Sequence, residues 1–114
     1  GGFWPKKAPF RRAAKWDGVI PLKLPVRLPG PDDLRAILAY IEKHRTVPTP
    51  FDVAKIGWAV SKDPKKNAEK LHALVEAGMT WWLENLYAMR DSPDAMLERI
   101  RTGPPKFSRH VPKS

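Results

Sequence analysis

The chain contains no cysteine, which excludes disulfide frameworks, thiolate metal sites and thiol nucleophiles together. Any redox chemistry must therefore be borrowed from a cofactor. No stretch approaches the ~20 consecutive apolar residues that a membrane-spanning helix needs, and the amino end lacks the apolar core of a secretory signal. The expected setting is the cytoplasm, with no membrane partner. His44, His72 and His110 stand far apart, and none lies beside a Ser or Asp in catalytic or metal-ligand spacing. No Walker loop, paired-carboxylate hydrolase pattern or metal-binding helix motif is present. Motifs thus leave catalytic residues unknown and predict no metal site. Methionine is absent before Met79, so the opening Gly1-Gly2-Phe3-Trp4 reads as the continuation of a frame that begins upstream.

What is present points to packed protein. An apolar fraction of 42% and five tryptophans are more than disordered chains carry. At 114 residues there is room for one modest core, and such a chain folding alone buries roughly two-thirds of its unfolded surface. The expectation is one domain, or part of one, over residues 1–105, with a basic, flexible tail over 106–114. Net charge is +9, and its placement matters more than its size. Residues 1–30 hold seven cations against Asp17, residues 101–114 hold four cations, and the middle is nearly balanced. Two basic ends on a neutral body do not form a continuous nucleic-acid track.

Apolar strand-like runs alternate with helix-period segments, most of them opened by proline and an acid. Phe10, Ala13 and Ala14 recur at helical spacing, predicting a short amphipathic helix over residues 8–16 with Arg11, Arg12 and Lys15 on its wet side. Gly18-Val19-Ile20-Pro21-Leu22 reads as a short buried strand ended by its proline, with loop from Lys23 to Gly30. Pro31-Asp32-Asp33 opens a second helix striped by Leu34, Ile37, Leu38 and Ile41. Residues 51–56 read as a second strand. Asp63 caps a helix begun by Pro64 and ended at Gly78, residues 79–83 form a third strand, and Ser92-Pro93-Asp94 starts a last helix that Gly103 ends. The crossovers are long enough to make the strand pairs parallel. Parallel strands need cover on both faces, and about three of them leave two raw edges.

The diglycine opening, the run Ala8-Pro9-Phe10-Arg11-Arg12-Ala13-Ala14 and Trp16-Asp17-Gly18-Val19 together resemble the luciferase-like flavin-dependent oxidoreductase and monooxygenase family. In that family a diglycine ends one barrel strand, an arginine-bearing helix follows, and Asp-Gly starts the next strand. Glu76-Ala77-Gly78-Met79-Thr80-Trp81-Trp82-Leu83-Glu84 and Arg99-Ile100-Arg101-Thr102-Gly103-Pro104-Pro105 are similar to the last strand and terminal helix of one bacterial branch. The resemblance spans nearly the whole chain. It implies a carboxy-terminal fragment of a TIM barrel, a partial (β/α)8 fold with about three parallel strands and four helices, and roughly five of eight strands upstream. It also implies a cofactor, FMN or in sister groups a deazaflavin, and a small organic substrate in the complete protein. The chain alone is expected to be inactive.

Gly1, Gly2, Phe3 and Trp4 are the expected cofactor-binding residues. Glycines before a helix let the backbone approach a ligand, and a helix amino end presents N–H groups to phosphate; an unliganded strand-to-helix turn is the bland alternative. Phe3 and Trp4 are placed to line the flavin ring or simply to pack, and Lys6 and Lys7 to meet phosphate or water. Lys55, Glu84 and Asn85 fall at strand ends, where barrels put functional side chains. Trp81 and Trp82 must point to opposite faces of their strand. Two rival readings remain open. One is a small basic nucleic-acid-binding module using Arg11 and Arg12, with steeply salt-dependent affinity. The other is a structural domain that self-associates through exposed strand edges.

Overall fold

The computed structural model describes residues 2–24, 28–57, 63–86 and 90–104. The predicted tail over 106–114 lies outside them. Nine elements follow in order: β1 (Gly2–Trp4), α1 (Lys7–Ala13), β2 (Gly18–Val19), β3 (Pro21–Lys23), α2 (Pro31–His44), β4 (Asp52–Gly57), α3 (Pro64–Glu76), β5 (Trp81–Glu84) and α4 (Pro93–Thr102). The fold is α/β, with four helices among the described residues where four were expected and five short strands instead of about three.

Both extra strands have a local cause. β1 is three residues long, too short to show any period. The run read as one strand changes partner in mid-course: Gly18 and Val19 pair with Asp52 and Val53 of β4, whereas Pro21 to Lys23 pair with Gly2 to Trp4 of β1. Pro21 opens the second piece instead of ending the first, a position where the missing N–H is tolerated. All pairings are parallel and form two sheets, β1 with β3 and β2-β4-β5; because Ile20 alone separates β2 from β3, the two sheets adjoin there and the strand positions run in chain order: β1, β2 with β3, β4, β5.

The starts of α2, α3 and α4 follow the predicted signals, whereas α1 ends at Ala13, three residues short of the predicted 8–16 span. The Asp63 carboxylate accepts from the Lys65 N–H at 3.0 Å and the Ser92 hydroxyl from the Ala95 N–H at 3.1 Å, satisfying donors that a first helical turn leaves free. Asp33 accepts from the Gly30 N–H at 2.9 Å, bracing the start of α2. After α3 the chain turns at Gly78, whose φ of 114° sits in the left-handed region and whose missing Cβ would lie 2.3 Å from Leu38 Cδ1. Torsion and packing both demand glycine there.

One core joins the pieces. Phe10 and Ala14 of the first helical segment, Leu34, Ile37 and Ile41 of α2, and Leu71 and Leu74 of α3 pack on Val19, Val53 and Met79. The predicted stripes therefore face one shared layer, except in α4, where Leu97 and Ile100 stay exposed. Arg45 ties the layer's lower rim: one guanidinium nitrogen donates to the carbonyl oxygens of Ala14 and Trp16, and the other to that of Thr49 at 2.8 Å. The shortest extent of the molecule, 21 Å, matches one sheet plus one helix layer.

Candidate functional site at the carboxyl ends of the strands

Alternation along each strand sorts its side chains between the helix layer and the opposite face. Val19, Pro21 and Val53 face the helices and are buried. Their neighbours Phe3, Ile20, Leu22, Ile56, Trp81 and Leu83 face the other way; none of the six is buried, and Trp81 is 59% exposed. The expected split of the tandem tryptophans is thus present, with Trp82 turned toward Gly57 and the helices.

The predicted cofactor residues divide between these two faces. Gly1 lies outside the described residues. Gly2 begins β1 instead of ending a strand, and α1 starts five residues later. Gly2 is buried, and a Cβ there would stand 2.3 Å from Pro9 Cβ, so its glycine serves the close approach of strand to helix. Trp4 also turns toward the helices, edge-on to Phe10 with ring centroids 5.3 Å apart and to Tyr40 at 6.0 Å. Lys7 Nζ rests 3.7 Å from the centre of that indole, a cation–π contact. Only Phe3 of the described three faces the open side. At the exit of β1 the Lys6 N–H donates to the Phe3 carbonyl at 3.0 Å, and the Lys6 side chain is exposed.

Two charged groups sit at the other strand exits. Lys23 pairs with Asp33 at 2.7 Å, both about three-quarters covered. Beside them Lys55 is 4% exposed, and its Nζ donates to the Ile56 carbonyl oxygen at a long 3.4 Å, beyond the range of a strong hydrogen bond. Its pKa is pushed down to about 8, mainly by burial and further by Lys70, with Asp33 opposing. Lys55 therefore lies under the helices and not at the mouth of the open face.

At the exit of β5, Glu84 accepts from Arg90 Nη1 at 2.8 Å and from Trp82 Nε1 at 3.3 Å, and Arg99 Nε lies 3.9 Å away. Asn85 donates its N–H to the Gly57 carbonyl at 2.7 Å, and its own carbonyl accepts from Arg90 at 2.6 Å. Both predicted strand-end residues are thus engaged in holding the chain after β5. A pocket of about 260 Å³ opens beside them between Trp82, Leu86, Arg99 and Ile100. Sequence reasoning missed Arg90 and Arg99, because no spacing rule connects a strand carboxylate to arginines several residues on. Two further grooves, of about 370 and 380 Å³, lie toward the amino ends of the strands around Trp16 and Val47.

The His44 ring lies against Tyr40, tilted by 53° with centroids 4.5 Å apart, and His72 lies 3.5 Å from Glu76; His110 is outside the described residues. No group of three or more metal-ligating side chains is found among the described residues, and no helix there is long and apolar enough to cross a membrane. Compared with protein-family models, with curated proteins and with solved structures, the chain finds no match in any of the three.

Proposed function

We propose that the chain is an arc of a flavin-dependent (β/α)8 barrel of the luciferase-like type, whose remaining strands lie outside it and whose β1 exit forms part of the cofactor site. One observation carries the reading: the strand positions are parallel and in chain order, and among the described residues helices pack on one face only. A doubly wound sheet reverses its strand order and covers both faces; a barrel keeps chain order and turns its other face inward. The uncovered face, with Phe3, Leu22, Ile56 and Leu83, has the apolar character of a barrel interior.

The residues fit a flavin in part. Phe3 faces the interior side and exposed Lys6 offers a cation for the phosphate at the same strand exit, while Gly2 gives its free side to Pro9. The flavin, FMN or a deazaflavin, supplies the hydride chemistry; the protein positions and shields it. Phe3 would exclude water from one side of the ring, and Lys6 would hold the phosphate from solvent.

Titration with FMN, followed by flavin fluorescence, tests this for the 114-residue chain and for the protein extended upstream. Binding by the extended protein, weakened by Lys6→Glu, is the expected result. No binding by the extended protein refutes the reading. The nucleic-acid alternative draws on Arg11 and Arg12, both exposed on α1; DNA or RNA affinity that falls steeply with salt would favour it instead.

A further inference from the structure

We propose that the cavity between β5 and α4 binds a small organic carboxylate, its charged end on Arg99 and its apolar body against Trp82 and Ile100. The inference does not rest on the flavin reading. The cavity is lined by Trp82 and Glu84, which alternate along β5 with the open-face residues Trp81 and Leu83, so it lies on the other side of the strand from Phe3.

The cavity exists because α4 does not pack as the other helices do. Each of α1, α2 and α3 buries part of its apolar stripe in the core, whereas α4 buries no residue and leaves Leu97 and Ile100 exposed. Its last turn meets the strand exit through polar groups instead. Arg99 Nη2 donates to the Gly103 carbonyl oxygen at 2.7 Å, and Arg99 Nε lies 3.9 Å from Glu84 Oε1. Beside these contacts is a space of about 260 Å³ walled by Trp82, Leu86, Ile100 and Pro104. That volume is below the roughly 300 Å³ at which pockets for drug-sized ligands begin, so the body it holds is a single aromatic ring or a short branched chain.

Charge selects the occupant. An apolar hollow alone is a packing gap; this one has an unsatisfied donor in its wall. Glu84 holds Arg90 at 2.8 Å but Arg99 at 3.9 Å, beyond hydrogen-bond range. Arg99 Nε is buried and has no hydrogen-bond partner among the described residues, a state whose cost an added acceptor relieves. Two guanidinium groups against one carboxylate leave one positive charge. A ligand carboxylate matches that charge and, being planar, matches the edge of a guanidinium in shape. The side chain of Arg99 is 21% exposed and is held by one hydrogen bond among the described residues, to Gly103, so a turn of it presents the guanidinium edge to the cavity while Glu84 keeps Arg90. A hydrated inorganic anion offers nothing to the apolar walls, whereas an aryl or branched alkyl body removes them from water.

Calorimetric titration of the 114-residue chain with benzoate, phenylacetate and isovalerate is the test, with their uncharged amides and inorganic phosphate as controls. At least one carboxylate is expected to bind, and to exceed its own amide by at least about tenfold, the effect of one charge-assisted contact. Phosphate should give no measurable heat. Absence of binding by all three carboxylates overturns the proposal, as does an amide that binds as tightly as its acid, or phosphate that binds as tightly as the carboxylates. Arg99→Met should abolish the preference for acid over amide with helical circular dichroism intact, since α4 buries no residue. If that variant fails to fold, Ile100→Trp is measured in its place; Ile100 is 60% exposed, and the larger ring should fill the cavity and abolish binding. Unchanged binding by a folded variant of either kind overturns the site. The flavin titration reads the opposite side of the strands, so failure of either reading leaves the other standing.

Discussion

Val19, Pro21 and Val53 point into the helix layer and are buried, whereas Ile20, Leu22 and Ala54, one residue further along the same strands, point the other way and are not. The two faces are alike in composition and differ in what lies against them. Hydrophobic burial is non-directional and follows the area removed from water; it rewards whichever face meets a partner. On the helix side three amphipathic stripes supply that partner from within the chain. On the open side nothing described does, so its side chains contribute little to the stability of the fold.

The contrast is broken most sharply in the core. Phe10 is fully buried between α2 and the sheet, and Phe10→Ala should cost about 4 kcal/mol of unfolding free energy by urea titration, from lost transfer energy and the cavity left behind. Next comes a helix-side residue expected to act in the opposite sense. Because the pKa of Lys55 is lowered from 10.5 to about 8 in the fold, the unfolded chain binds its proton more tightly than the native chain does. Below about pH 8 the buried ammonium opposes folding fully; the opposition fades as pH rises from 8 toward 10.5. Lys55→Met should therefore stabilise the protein at pH 7 by at most about 3 kcal/mol. The gain over the natural chain should shrink to nothing above pH 10.5, as read by urea unfolding at several pH values.

Smaller effects sharpen the comparison. Glu84→Gln removes the charge facing Arg90 and Arg99, with its side chain 16% exposed, and should cost about 2 kcal/mol; thermal unfolding against the natural chain reads the loss. On the open face, Trp81→Thr should change the unfolding free energy of the monomer by less than about 0.5 kcal/mol, measured at concentrations too low for association. A loss as large as that of Phe10→Ala would mean that the indole is already buried within a single copy.

The sequence made the helices legible because their signals are local. Proline at the first position, an acid or Ser before it, and apolar residues at helical spacing all lie within one or two turns, and Asp63 and Ser92 cap as expected. The strands were less legible. The third was placed at residues 79–83, but Met79 goes into the core before the strand begins at Trp81, and Phe51 stays outside β4 with Arg45 over its ring at 4.8 Å. A three-residue strand such as β1 carries no pattern, and Pro21 reads as a stop until its partner is known. The candidate site was legible only as a set of strand ends: Glu84 and Asn85 are there, but Trp4 and Gly2 turned out to face the helices, and Lys55 lies beneath them.

By itself, then, the order of residues settled the helix count, their caps, the buried stripes and the parallel sense of the strands, since each depends on torsion preference, backbone donors or crossover length within a short span of chain. Only the tertiary structure decided that one strand is shared between two partners, that Arg45 joins the ends of two helices, that Glu84 gathers two arginines, and that no described helix covers the second face of the strands. Those facts depend on which distant surfaces meet, and the energy of a contact between residues far apart in sequence leaves no mark on the pattern of either one.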